Sequence, residues 1–105
     1  MDVAARFDEI VDDLTPRGVR PGALFGARSL TLNGTAFACL KGGRLAVRLG
    51  AGTVAHAEAL ALDGASLFDP SGKGRPFEDW VAVPAAESQR WGRLAEAGLD
   101  AVGAA

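Results

Sequence analysis

Apolar positions along this chain change their spacing repeatedly, and the changes mark out the elements. Val3, Phe7, Ile10, Val11 and Leu14 recur at helical spacing with acidic residues on the opposite face. Asp2 stands where it can cap the first turn, and Pro16 disfavours helical geometry at Thr15, so a helix is predicted to end there. The segment TPRGVRPG reads as a loop leading into ALFGA, where Gly22 and Gly26 permit turns that other residues resist.

The pattern then shifts to alternation in ARSLTLNGTAFACLKGGRLAVRL, which predicts three antiparallel strands. Asn33-Gly34 is a preferred two-residue hairpin turn, because both positions need positive φ. It pairs Leu32 with Thr35 and Leu30 with Phe37, on one face with Cys39. The second turn has two solutions. A two-residue loop at Gly42-Gly43 sets Phe37 and Cys39 on the face of Arg44 and Arg48. A three-residue loop, Lys41 to Gly43, sets them beside Leu45, Val47 and Leu49, and is preferred for its continuous apolar face. The other face then reads Ser29, Thr31, Ala36, Ala38, Leu40, Arg44, Ala46 and Arg48, small residues suited to water or to a second copy of the chain.

Thr53 is placed to cap a short helix through Leu62, with Val54, Ala57, Leu60 and Ala61 as its buried stripe and Gly64 as its stop. Leu67-Phe68 and Phe77 to Val83 form a second hairpin, whose long turn is bracketed by Pro70 and Pro76. A final helix starts between Pro84 and Ser88 and carries Trp91, Leu94, Ala95, Leu99 and Val102 on one face. Gly92 and Gly98 each weaken that helix by about 1 kcal/mol relative to Ala, so packing must hold it. The order is α-β-β-β-α-β-β-α, an α+β domain spanning residues 1–105 with one mainly antiparallel sheet and helices on one face.

Composition adds bounds. At 105 residues, 49% hydrophobic and 23% charged, the chain matches an ordinary globular domain. The acidic, periodic N-terminus is unlike a signal peptide, and no apolar run approaches a membrane span; the expected location is cytoplasmic, with no membrane partner. Charge is uneven. Residues 1–13 carry five acids against Arg6. Residues 14–57 carry Arg17, Arg20, Arg28, Lys41, Arg44 and Arg48 with no acid. This basic 17–48 block attracts an anion or pairs with the acidic flanks, and the second reading is preferred because nothing else supports direct nucleic-acid recognition.

Over about residues 22–84 the wording resembles the N-terminal domain of the TfoX/Sxy competence regulators and their stand-alone relatives. The resemblance is carried by Leu24-Phe25-Gly26, the Gly34 turn, Phe37, the Leu45-Val47-Leu49 strand, Phe68, Gly74-Arg75-Pro76, Trp80 and Val83-Pro84. It implies a non-enzymatic α+β domain of the YjbR or secretion-chaperone-like type. It also implies a part in bacterial transcriptional control of natural transformation, with the cyclic-AMP receptor protein. Named members continue into a second, helical domain at the point where this chain stops.

Candidate chemistry is sparse. The loop SGKGR lacks the first Gly and the final Ser/Thr of a P-loop and precedes a strand, leaving a hairpin loop with a candidate anion site at Lys73 and Arg75. Arg75 is also placed to bind Asp69 across the loop. His56 reads as structural, Cys39 as a small buried hydrophobe, and Trp80 as core. No catalytic, cofactor or metal set is expected. Arg28, Arg44 and Arg48 form a candidate interaction patch for a protein partner or a second copy, with Arg28 pointing toward the greasy face. A small enzyme or ligand carrier, with an anion pocket near Phe25, Arg28 and Arg75, is a further reading.

Overall fold

A computed structural model describes residues 2–104. Helix α1 (Val3–Leu14) begins where the Asp2 carboxylate accepts hydrogen bonds from the Ala4 and Ala5 amides at 3.0 and 3.4 Å. It passes into a 3₁₀ turn over Thr15–Arg17 at Pro16. Strands β1 (Val19–Leu24), β2 (Ala27–Leu32), β3 (Thr35–Lys41) and β4 (Arg44–Arg48) follow. Helix α2 (Val54–Leu60), strands β5 (Ser66–Phe68) and β6 (Phe77–Pro84), a 3₁₀ turn (Ala85–Arg90) and helix α3 (Trp91–Gly103) complete the chain. All six strands form one antiparallel sheet, ordered β1-β2-β3-β4-β6-β5. The fold is α+β in the expected order of helix, strands, helix, strands, helix, with one strand more than the alternation predicts.

That strand, β1, falls on the segment read as a loop. Pro21 and Gly22 weigh against a central strand, but an edge strand has one row of backbone donors facing away from the ladder. Its hairpin to β2 turns at Phe25-Gly26, where Phe25 holds φ 55° and Gly26 φ 71°. A phenylalanine in the left-handed region gives no turn signal to read.

The Asn33-Gly34 turn forms as expected, with φ 51° and 83°, and pairs Leu32 with Thr35. Beyond Thr31 the register shifts by one, so Leu30 faces Ala38 and Phe37 is an extra, bulged residue. The next turn is the two-residue one at Gly42-Gly43, with Lys41 opposite Arg44, and not the three-residue loop. The bulge cancels the change of parity. Phe37 still lies with Leu45, Val47 and Leu49 against the helices, and so do Ala38 and Leu40, while Cys39 crosses to the opposite face with Ala46.

The main core lies between that face and the helices, built from Phe7, Ile10 and Leu14 of α1, Trp91, Ala95 and Leu99 of α3, and Leu30, Phe37, Val47, Val81 and Val83 of the sheet. Helix α2 packs differently from expectation. Ala59 and His56 are buried and Ala55 and Leu62 lean on the core, whereas Val54 is 74% exposed and Leu60 38%. A short alanine face lets α2 approach β6 and α3, and His56 Nε2 lies 2.7 Å from the Glu78 carbonyl. The bulkier aliphatic residues, Val54 and Leu60, are thus the ones that turn outward.

Gly98 has a packing role. A Cβ there would stand 2.6 Å from Val47 Cγ1 and 3.3 Å from Phe37 Cδ2. Replacing a mid-helix glycine with alanine gains about 1 kcal/mol of helix propensity, but forcing a methyl into a filled core costs roughly 1–3 kcal/mol. Gly98→Ala is expected to lower stability by about 1 kcal/mol in urea unfolding, whereas Gly92→Ala, whose nearest neighbour is the Arg6 guanidinium tip, should lose less or gain.

Candidate functional site

Ser29, Cys39, Ala46 and Ala82 occupy the sheet face turned away from the helices, in one cross-strand row. Small side chains there leave room for larger ones to close over them. Phe68 is 5% exposed, and it packs with Trp80 on Cys39, Ala46 and Ala82 as a second, smaller core. Neighbouring strands rotate by roughly 20–25° each, so five pairings turn the outer strands by about 100–125°. Diagonal corners of the sheet thereby approach each other over this face. The β1–β2 turn comes from one corner and the β5–β6 loop from the other.

They meet through rings. Phe25 lies 5.9 Å from Phe68 and 5.3 Å from Phe77, and Phe68 lies 5.8 Å from Trp80 between ring centroids. Phe25 and Phe77 are each 41% exposed, so this aromatic corner is half in water. Beside it a groove of about 380 Å³ is lined by Phe25, Lys41, Pro70, Ser71, Arg75 and Phe77. Lys41 Nζ donates to the Phe25 carbonyl at 3.0 Å, which clamps the strained turn to the end of β3.

The 69–75 loop is shaped by Asp69. Its carboxylate accepts from the Ser71 hydroxyl (3.1 Å), the Gly72 amide (3.1 Å) and the Gly74 amide (2.9 Å). The Arg75 side chain is not its partner, contrary to expectation; backbone donors are nearer in the folded turn. Neither Lys73 Nζ nor the Arg75 guanidinium has a hydrogen-bond or ion-pair partner among the described residues. Desolvation at Asp69, which pushes its pKa up, is outweighed by the hydrogen bonds from Gly74, Ser71, Gly72 and Arg75, so the carboxyl sits below its ordinary value.

The three arginines expected to form a patch are separated. Arg28 lies on the helix face, paired with Asp8 and with its guanidinium carbon 4.8 Å from the centroid of the Phe7 ring. Arg44 and Arg48 lie on the other face at opposite ends of β4. Arg44 donates to the Gly64 carbonyl at 2.8 Å, and Arg48 stands exposed opposite Trp80. Lys73 and Arg75 do share one loop, and Arg75 shares the groove with Phe25. Lys41 takes the place expected of Arg28. Lys41 and Phe77 escaped sequence reading because the sheet's twist alone brings them together.

Other reactive groups are occupied. Burial pushes the Cys39 thiol up to about 11, with the Lys41 charge pulling slightly the other way, so it carries no thiolate near neutrality. Among the described residues no three His, Cys, Asp or Glu side chains converge, and no helix is long and apolar enough to cross a membrane. A larger hollow of about 590 Å³ between α2 and α3 is edged by Glu58, Glu87, Arg90 and Arg93. Its charges balance and select no class of ligand. No protein-family model matches the chain, and no curated protein matches it.

Because the folded pKa of Asp69 is lowered, the order it gives the loop is complete above the unfolded value of 3.8 and is lost as pH falls through the folded one. Amide resonances of Gly72 and Gly74 should titrate together with a midpoint below 3.8. In Asp69→Ala they should show no such titration and exchange faster with solvent.

Proposed function

We propose that this chain is a non-enzymatic regulatory or protein-interaction domain, acting in the cytoplasm, which recognises another protein through the aromatic corner of its sheet. The role is like that of the TfoX-type N-terminal domain which its sequence resembles. One observation carries the reading: Phe25 is held in left-handed backbone with its ring 41% exposed, against the equally exposed Phe77. A bulky residue in that conformation costs about 1–3 kcal/mol. Its contacts with Phe68 and Phe77 return about as much, so stability alone does not select a half-exposed ring over Asn or Gly at this turn, and recognition of a partner supplies the reason for it.

The disposition of charge supports protein over nucleic acid. The basic 17–48 block, which could have served a nucleic acid or a small anion, is dispersed. Arg17 pairs with Asp100 at 2.6 Å, Arg28 with Asp8, and Arg44 donates to the Gly64 carbonyl. A second copy adding to the sheet is disfavoured at both edges, since β1 carries Pro21 and β5 has three residues.

Phe25→Asn separates recognition from folding. It restores an Asn-Gly turn and relieves strain of about 1–3 kcal/mol. It also removes two ring contacts of about 0.5–1.5 kcal/mol each. Its unfolding midpoint should therefore stay within a few degrees of the parent's. Immobilised parent protein should retain a defined protein from extracts of its own cells that the variant does not. Identical retention by the two would overturn the reading.

A further inference from the structure

We propose that the groove between the β1–β2 turn and the 69–75 loop docks an acidic segment of the partner protein, one apolar side chain lying against Phe25 and Phe77 and the flanking carboxylates meeting Lys41, Lys73 and Arg75. This rests on the interaction reading above and names the chemistry of what is recognised.

Charge complementarity is the first argument. Lys73 and Arg75 have no partner among the described residues, and Lys41 spends one of its donors on the Phe25 carbonyl, leaving the others free. The loop's single carboxylate, Asp69, has its oxygens turned to Ser71, Gly72 and Gly74. With three cations against that one acid, the groove and its loop carry a net charge of +2, on a protein whose net charge is −2. Arg75 offers a planar fork of donors suited to a carboxylate.

The groove's shape is the second argument. Its floor of Phe25, Pro70 and Phe77 is apolar and its volume of about 380 Å³ lies at the small end of ligand pockets. It suits one inserted side chain with main chain running past, as in acidic-motif recognition. A single-stranded nucleic acid also joins stacking to cations, but needs a basic track for successive phosphates. Here the strand that leaves the loop opens acidic, at Glu78 and Asp79. Exposed Glu78 follows Phe77, and Arg44 is engaged with Gly64.

The test uses a fluorescein-labelled hexapeptide with a Leu-Phe pair between aspartates, the same peptide with lysines for aspartates, and a labelled oligothymidine. Binding is read by anisotropy and by amide shift mapping on the full chain. The acidic peptide should bind and move amides of residues 24–27, 41 and 69–77, weakening as salt rises. Arg75→Glu, which removes no side-chain hydrogen bond or ion pair among the described residues, should weaken it at least tenfold with an unchanged unfolding midpoint, and Phe25→Asn should weaken it comparably. Equal binding of the lysine peptide, tighter binding of oligothymidine, shifts confined elsewhere, or no binding would each overturn the proposal. If the acidic peptide fails while retention of a cell protein still depends on Phe25, only the acidic class is refuted; if that dependence fails too, the interaction reading falls with it.

Discussion

The extra residue that β3 carries at Phe37 governs which side chains each face of the sheet receives. Side chains alternate strictly along a strand, so a single inserted position reverses every residue beyond it. With the bulge, Phe37 and Ala38 both reach the helix side, and Cys39 drops to the other. Phe37 then meets α3 at Gly98, where the missing side chain lets helix and sheet close. Trp91, Ala95 and Leu99 are buried around that contact, and the main core depends on it.

The same reversal leaves the far face lined by Ser29, Cys39, Ala46 and Ala82. Such a face is shallow enough for a twisted sheet to fold its corners over it. Phe68 and Trp80 fill the hollow, and Phe25 and Phe77 close it from opposite edges without being covered themselves. A lysine clamp on the Phe25 carbonyl and a loop wound around Asp69 hold that corner in one arrangement against the strain at Phe25. Rigidity of this kind lowers the ordering cost of recognition.

Electrostatics here distributes function more than it supplies stability. The ion pairs Arg17–Asp100 and Arg28–Asp8 are largely exposed and are worth about 0–1 kcal/mol each. They matter because they remove two arginines from the surface available to a partner. Lys73 and Arg75 have no such partner among the described residues, and both stand on the loop beside the aromatic corner.

Helical spacing identified α1 and the inward face of α3, and Asn33-Gly34 and the alternation around it identified β2 to β4, because these signals are local and their neighbours agree with them. The α+β order and the candidate loop Lys73–Arg75 were legible for the same reason. The edge strand β1 was hidden by Pro21, since only the completed sheet shows which backbone donors need no partner. The inward stripe of α2 departs from the one its spacing suggests because close approach favours alanines over larger residues. The bulge at Phe37, and with it the side taken by Cys39, depends on which turn the whole ladder accommodates. Tertiary structure alone decided the meeting of Phe25, Lys41 and Phe77, for it comes from twist accumulated across six strands, and no window of sequence contains that sum.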